Sequence, residues 1–123
     1  MATVLVVEDD AELRRLFRTA LAFAGYRVIE AGDGLDALRV LESDRPDVVV
    51  LDLDLPLISG QTVRQELSAQ ANTRDIPVVV VTGSPGEHDE LEATCLLRKP
   101  VSPDRLIATV RKCRPAADAA SAC

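Results

Sequence analysis

The chain has 123 residues, of which 47% are hydrophobic and only 2% aromatic, and its formal net charge is −6. This length suits one compact domain, and the aliphatic content suits a core of Val, Leu, Ile and Ala. The acidic balance argues against direct nucleic-acid binding, which needs a basic patch, but allows an acidic pocket for a cation. No run approaches the roughly 20 apolar residues of a membrane span and no signal peptide is visible, so we expect a cytoplasmic protein without membrane contact.

The chain alternates short β-branched runs with amphipathic stretches. The runs predict five strands, at Val4–Val7, Tyr26–Glu30, Val48–Leu51, Ile76–Val81 and Cys95–Arg98. Several runs are continuously apolar, as expected for strands buried on both faces of a parallel sheet. The pattern of strand and helix repeated five times predicts a parallel sheet with helices on both faces.

Helices are expected between these strands. The first carries an apolar stripe from Leu13 to Ala24 and is closed by Gly25, and Asp10 suits its N-cap. The other stretches predict helices at Leu35–Leu41, Gln61–Gln70, Glu87–Thr94 and from Ser102 onward, where Pro103 takes the first helical position. Beyond residue 114 the composition shifts to Ala, Ser and Asp, which predicts a domain over residues 1–114 and a flexible tail over 115–123.

The three cysteines, Cys95, Cys113 and Cys123, are an odd number at wide spacings. This spacing is typical of neither a disulfide framework nor a zinc site. We therefore expect all three thiols to be reduced and without function, which fits a cytosolic protein.

Chemically capable side chains stand at the ends of four predicted strands. Glu8 and Asp9 follow the first, Asp52 the third, Thr82 the fourth and Lys99 the fifth. Sites in open α/β sheets form beyond the carboxyl ends of the strands, so these side chains can converge. Three nearby carboxylates repel one another unless a cation neutralises them, and Mg²⁺ is the natural partner for oxygen ligands.

Such a group suits phosphoryl transfer, which depends mainly on positioning and charge neutralisation. Asp52 would be the nucleophile and form an acyl phosphate. Lys99 would pair with the phosphate as a point charge, and the Thr82 hydroxyl would donate a hydrogen bond to it.

These residues, in this order, resemble the receiver domain of bacterial two-component response regulators, from Thr3 to about Arg114. The segment 4–10 is similar to the family's first strand and acidic pair, and 46–56, with Gly60, to its phosphorylation strand. Segment 77–83 is similar to the hydroxyl-bearing strand, and 98–100 to a Lys-Pro pair whose peptide bond is usually cis. The resemblance implies a flavodoxin-like (βα)5 three-layer sandwich with sheet order 2-1-3-4-5.

The resemblance also implies a function in a phosphorelay. Asp52 would accept a phosphoryl group from a sensor histidine kinase or a phosphotransfer protein. Mg²⁺ would be held by Glu8, Asp9, Asp52 and the backbone carbonyl of Asp54, while Thr82 and Lys99 contact the phosphate. Such a domain signals rather than acting as an enzyme, as a monomer or a weak phosphorylation-dependent dimer. The downstream target or fused output domain is not readable from these residues.

Three features depart from the family pattern. Leu96 stands where an aromatic residue usually reorients on activation, and Val101 where a Phe is common. The stretch between Thr82 and Lys99 is short, which implies a shortened fourth helix. The usual output face is therefore in question, although the phosphorylation site is not.

Two alternatives stay open at this point. The pair Asp52 and Asp54 forms a D-x-D, as in haloacid-dehalogenase-type phosphatases, but in those enzymes the acidic pair comes late in the chain rather than first. The second alternative is a degenerate receiver that binds partners without being phosphorylated. Asp54 itself would either influence dephosphorylation or Mg²⁺ affinity, or be a solvated loop acid.

Overall fold

A computed structural model describes residues 2–83 and 95–113 of the chain. The strands of this part are β1 (Thr3–Val7), β2 (Arg27–Ala31), β3 (Val48–Asp52), β4 (Val78–Thr82) and β5 (Leu96–Arg98). The helices of this part are α1 (Ala11–Phe23), α2 (Gly34–Ser43), α3 (Gly60–Ala69) and α4 (Pro103–Lys112). The helix predicted at Glu87–Thr94 and the tail predicted at 115–123 lie outside the described residues.

All five strands pair in parallel, in the order β2-β1-β3-β4-β5. This confirms the predicted fold and strand order. The register aligns the carboxyl ends, because Val7 pairs with Leu51 and Asp52 with Val81. Residues that follow the strands therefore meet along one edge of the sheet.

β2 and β4 start one and two residues later than predicted. The Tyr26 amide donates to the Leu21 carbonyl at 3.0 Å and so belongs to the end of α1. The Ile76 amide donates to the Thr73 carbonyl, also at 3.0 Å, and belongs to the turn before β4. Both side chains are buried, which is why an apolar run could not separate them from the strands.

The helix ends follow the predicted capping chemistry. The Asp10 side chain accepts hydrogen bonds from the amides of Glu12 and Leu13, and Gly25 takes a left-handed φ of 99° just after α1. The Ser102 side chain caps α4, with proline in its first turn. No described helix is long and apolar enough to cross a membrane.

Two apolar clusters cover the two faces of the sheet. One cluster lies under α1 and α4 and includes Val4, Val6, Phe17, Leu21, Val48, Val50, Leu97, Val101, Leu106 and Val110. The other lies under α2 and α3 and includes Leu5, Val7, Ala37, Val49, Leu51, Val63 and Leu67. Alternate residues of β1 and β3 thus face opposite layers, which explains why both strands are apolar throughout.

The prediction that all cysteines are reduced is wrong for two of them. The sulfurs of Cys95 and Cys113 are bonded, with their Cα atoms 6.0 Å apart. Cys95 immediately precedes β5, and α4 runs back along the sheet and ends beside the start of that strand. Topology therefore brings together two cysteines that are 18 residues apart. Cys123 lies outside the described residues.

Gly60, at the start of α3, packs directly against the end of β3. Its amide donates to the Leu53 carbonyl at 3.3 Å. A Cβ at Gly60 would lie 2.5 Å from the Leu53 Cα and would also overlap the Asp52 carbonyl oxygen. Only glycine allows the helix to approach the strand end this closely.

We predict that Gly60→Ala lowers the free energy of unfolding by about 2 kcal/mol, because the backbone must shift to admit the methyl group. Urea denaturation measures the change. Gly83→Ala is the matched control, since a Cβ there meets nothing closer than Lys99 Cδ at 3.9 Å. Equal stability of the two variants would contradict the close-packing argument.

Candidate functional site

Three carboxylates converge at the carboxyl edge of the sheet. Glu8 follows β1 and Asp52 ends β3, and each is only 1% exposed, whereas Asp9 is exposed. One carboxylate oxygen from each of the three lies within 4.8 Å of the others. The three acids chosen from the sequence are therefore brought together as expected.

Lys99 reaches the two buried acids from the end of β5. Its Nζ donates to Asp52 Oδ2 at 3.1 Å and lies 3.4 Å from Glu8 Oε1. Its backbone amide donates to the Thr82 carbonyl at 2.9 Å, which ties it to the end of β4. The Lys99–Pro100 peptide bond is cis, as the resemblance implies. Thr82 is fully buried at the same edge of the sheet.

Asp54 ties the loop after β3 to this group. Its amide donates to Asp52 Oδ1 at 2.9 Å. Its own exposed carboxylate accepts a long contact of 3.5 Å from the amide of Gly83. Both oxygens of Asp52 therefore have partners, one from the loop and one from the Lys99 ammonium.

Arg14, on α1, holds the backbone of Glu8 in place, and the sequence did not reveal this role. Its Nη1 donates to the backbone carbonyl of Glu8 at 2.9 Å, while its Nε donates to Glu30 at 3.2 Å. Arg18 pairs with the other oxygen of Glu30 at 3.2 Å. The clue in the sequence is an acid in β2 that matches two arginines one helical turn apart.

Burial and crowding shift two ionisable groups. Burial, together with the neighbouring Asp52 carboxylate, raises the pKa of Glu8 to about 7. Burial alone would lower the pKa of Lys99, but its contacts with Asp52 and Glu8 outweigh this and raise that pKa. Lys99 therefore stays an ammonium, while Glu8 changes its charge near neutral pH.

The donor set fits a hard divalent cation. Glu8 Oε2 accepts from the Asp10 amide at 3.2 Å, but Glu8 Oε1 is buried and has no hydrogen-bond partner among the described residues. Within residues 2–83 and 95–113, three carboxylates face a single ammonium group, so negative charge is in excess. Oxygen ligands with excess negative charge suit Mg²⁺ or Ca²⁺, so this acidic group could hold a metal ion.

A comparison with protein families identifies the kind of domain that contains this acidic group. Residues 4–111 match the family model of the response regulator receiver domain. The chain belongs to this family. Receiver domains of response regulators act in two-component phosphorelay signalling, and the acidic group is consistent with that role.

Individual relatives agree with this assignment. The "Probable transcriptional regulator ycf27" of Porphyridium aerugineum is 37% identical over 96% of this chain, which matches 50% of that protein. The "Polar-differentiation response regulator DivK" of Brucella anthropi is 34% identical over 89% of this chain and 93% of its own length. The receiver domain thus spans about half the length of the first relative but nearly all of the second.

A solved structure shows the same architecture. The chemotaxis response regulator CheY4 of Vibrio cholerae superposes with a TM-score of 0.84 at 29% identity. The match covers 91% of this receiver domain and 98% of that chain.

We predict that Glu8→Gln stabilises the metal-free receiver domain at pH 8 but not at pH 4. The pKa of Glu8 is raised in the folded state, so its contribution favours folding below its ordinary pKa of 4.5 and is lost as pH rises to about 7. The full loss is about 3 kcal/mol, and glutamine, which does not titrate, avoids it.

Urea unfolding in the presence of a metal chelator, at several pH values between 4 and 8, measures the difference in the free energy of unfolding between variant and wild type. Glu42→Gln, an exposed position on α2, serves as the control. A Glu8→Gln effect that is the same at every pH would contradict the proposed titration.

Proposed function

We propose that this receiver domain is phosphorylated on Asp52. The observation that carries the proposal is the position of Lys99, whose ammonium lies 3.1 Å from Asp52 Oδ2 and 3.4 Å from Glu8 Oε1. A carboxylate flanked by a positive charge, at the open edge of a sheet, can accept a dianionic group without uncompensated repulsion. The phosphoryl donor would be a sensor histidine kinase or a phosphotransfer protein.

The transfer needs little covalent chemistry from the protein. A carboxylate oxygen of Asp52 attacks phosphorus, the bond between phosphorus and the donor's imidazole nitrogen breaks, and an acyl phosphate forms. The amide of Asp54, which donates to Asp52 Oδ1, keeps the carboxylate oriented. Lys99 is already in contact with Oδ2 and would follow the new negative charge as a point cation. The Thr82 hydroxyl would donate to a phosphate oxygen.

Glu8, Asp9, Asp52 and the backbone carbonyl of Asp54 would hold Mg²⁺. When bound, the ion neutralises charge on the phosphoryl oxygens. Glu8 Oε1 supports this assignment, because it is buried and, apart from its ion pair with Lys99 Nζ at 3.4 Å, has no hydrogen-bond partner among the described residues.

The rest of the proposal concerns the setting. We infer a cytoplasmic signalling domain, extending over residues 1–114, that acts only on its own phosphorylation and dephosphorylation. Its target would be a downstream protein or a fused output domain, and it would be a monomer or a weak phosphorylation-dependent dimer. Chain order argues against a haloacid-dehalogenase-type phosphatase, because here the acidic pair precedes the D-x-D.

We expect wild-type protein with Mg²⁺ and acetyl phosphate to gain one phosphoryl group by intact mass, and Asp52→Asn to gain none, because the amide is not a nucleophile. Asp54→Asn is the matched control and should still be labelled, since the substitution keeps the backbone amide that donates to Asp52. Labelling that survives Asp52→Asn would sink the assignment. No labelling of the wild type would favour the degenerate receiver, and steady turnover of a phosphate ester would favour a phosphatase.

Mg²⁺ binding should weaken at least about tenfold in Asp9→Ala, because the site has few protein ligands. Binding by the wild type should also weaken as pH falls from 8 to 6, because the raised pKa of Glu8, about 7, makes the ion compete with a proton. Calorimetric titration measures both effects. Asp75→Ala, an exposed acid before β4, is the control, and equal affinity in both variants would contradict the ligand assignment.

A further inference from the structure

The Cys95–Cys113 pair lies at the end of β5 opposite to the acidic group. Cys95 precedes β5 and Lys99 follows it, so the two residues are separated by about 13 Å of extended chain. The cross-link closes a loop that contains β5, Lys99 and all of α4. The same covalent ring therefore includes the ammonium group that contacts Asp52.

β5 is the element that gains most from such a link. It is only three residues long and is the outermost of the described strands, among which it pairs with β4 alone. Only Leu97 of its three residues is buried. An edge strand with so little buried surface is held weakly by packing and has low local stability.

We expect the domain to fold without the cross-link. Both apolar clusters contain residues from at least three strands and two helices, and most of them lie far along the chain from either cysteine. Disulfides are usually essential only in much smaller domains that cannot build a sufficient core. Opening the bond would therefore loosen β5 and the end of α4 while the rest stays folded.

We propose that Cys95 and Cys113 form a reversible thiol–disulfide site, oxidised by small disulfides of the glutathione type, which sets how firmly β5 and Lys99 are held. Cys95 is partly exposed, whereas Cys113 is only 9% exposed, so a small reagent reaches Cys95 first. Exposed Arg111 and Lys112 directly precede Cys113 and would attract an anionic reagent.

The chemistry is two successive exchanges. The Cys95 thiolate attacks one sulfur of the small disulfide, a mixed disulfide forms, and one thiolate leaves. The Cys113 thiolate then attacks the Cys95 sulfur and displaces the second thiolate. Two protein thiols are oxidised and one small disulfide is reduced to two thiols, with the two protons passing to the leaving groups or to solvent.

The test uses the full chain with Cys123→Ser, so that the pair are its only cysteines. The protein is equilibrated in buffers from fully reduced to fully oxidised glutathione, quenched in acid and alkylated. Intact mass should change from two labels to none across the series, with residues 95 and 113 linked in peptide maps. A disulfide that persists in reduced glutathione, or two labels in oxidised glutathione, would overturn the proposal. Peptide maps of the unaltered chain that link Cys123 in place of either residue would do the same.

Hydrogen exchange then measures the effect on β5. In the reduced protein, the Lys99 amide, which donates to the Thr82 carbonyl, should exchange at least about tenfold faster. The amides of β1, which exchange by global unfolding, report the loss of overall stability. The Tm should fall by about 10 °C, as expected for the loss of a cross-link that closes a loop of this size. The double variant Cys95→Ser/Cys113→Ser should match the reduced protein. Identical exchange in the oxidised and reduced states would show that the link does not hold β5. None of these measurements requires phosphorylation, so their failure is distinguishable from failure of the proposed function.

Discussion

The electrostatics of this site depend on two buried carboxylates that share one ammonium group. Glu8 and Asp52 are each 1% exposed, and Lys99 contacts both. Asp9 adds a third carboxylate at the rim. Burying like charges close together is unfavourable, and this raises the pKa of Glu8 to about 7. The Lys99 ammonium offsets part of the remaining repulsion. The negative charge that remains means that this edge of the sheet could hold a cation.

The surrounding structure holds these charges in place against their repulsion. Arg14 binds the backbone of Glu8 from α1 and is itself held by Glu30. On the other side, Gly60 lets α3 pack directly on the end of β3, behind Asp52. Charged groups this close separate unless the backbone that carries them is rigid, so these contacts are as much part of the site as the carboxylates.

Much of this arrangement could be predicted from the sequence, because the signals are local. Continuous apolar runs indicate buried parallel strands, and the residues at which each run stops indicate the edge where Glu8, Asp52 and Lys99 meet. The strand starts were less accurate, since the buried side chains of Tyr26 and Ile76 belong to turns whose hydrogen bonds an apolar pattern does not reveal. The Arg14 contact was missed because it depends on how α1 lies across the sheet.

The cysteine pairing was wrong for a related reason. Wide spacing along the chain does not by itself argue against a disulfide, because the fold can bring distant cysteines together. In a strand–helix unit the helix returns antiparallel to its strand, so a residue just before β5 and one at the end of α4 become neighbours. A cysteine at each of these positions is the signal that would have found the pair.

The same geometry determines where the last described residue, Cys113, lies relative to the acidic group. Cys113 lies beside the start of β5, at the amino edge of the sheet, whereas Asp52 and Lys99 lie at the carboxyl edge. The ten residues of α4 span about 15 Å between these edges. A module joined after Cys113 would therefore be tethered on the far side of the domain from the acidic group. Such a module would lie too far away to touch the reacting atoms, so any influence of the acidic group on it would have to pass through the domain.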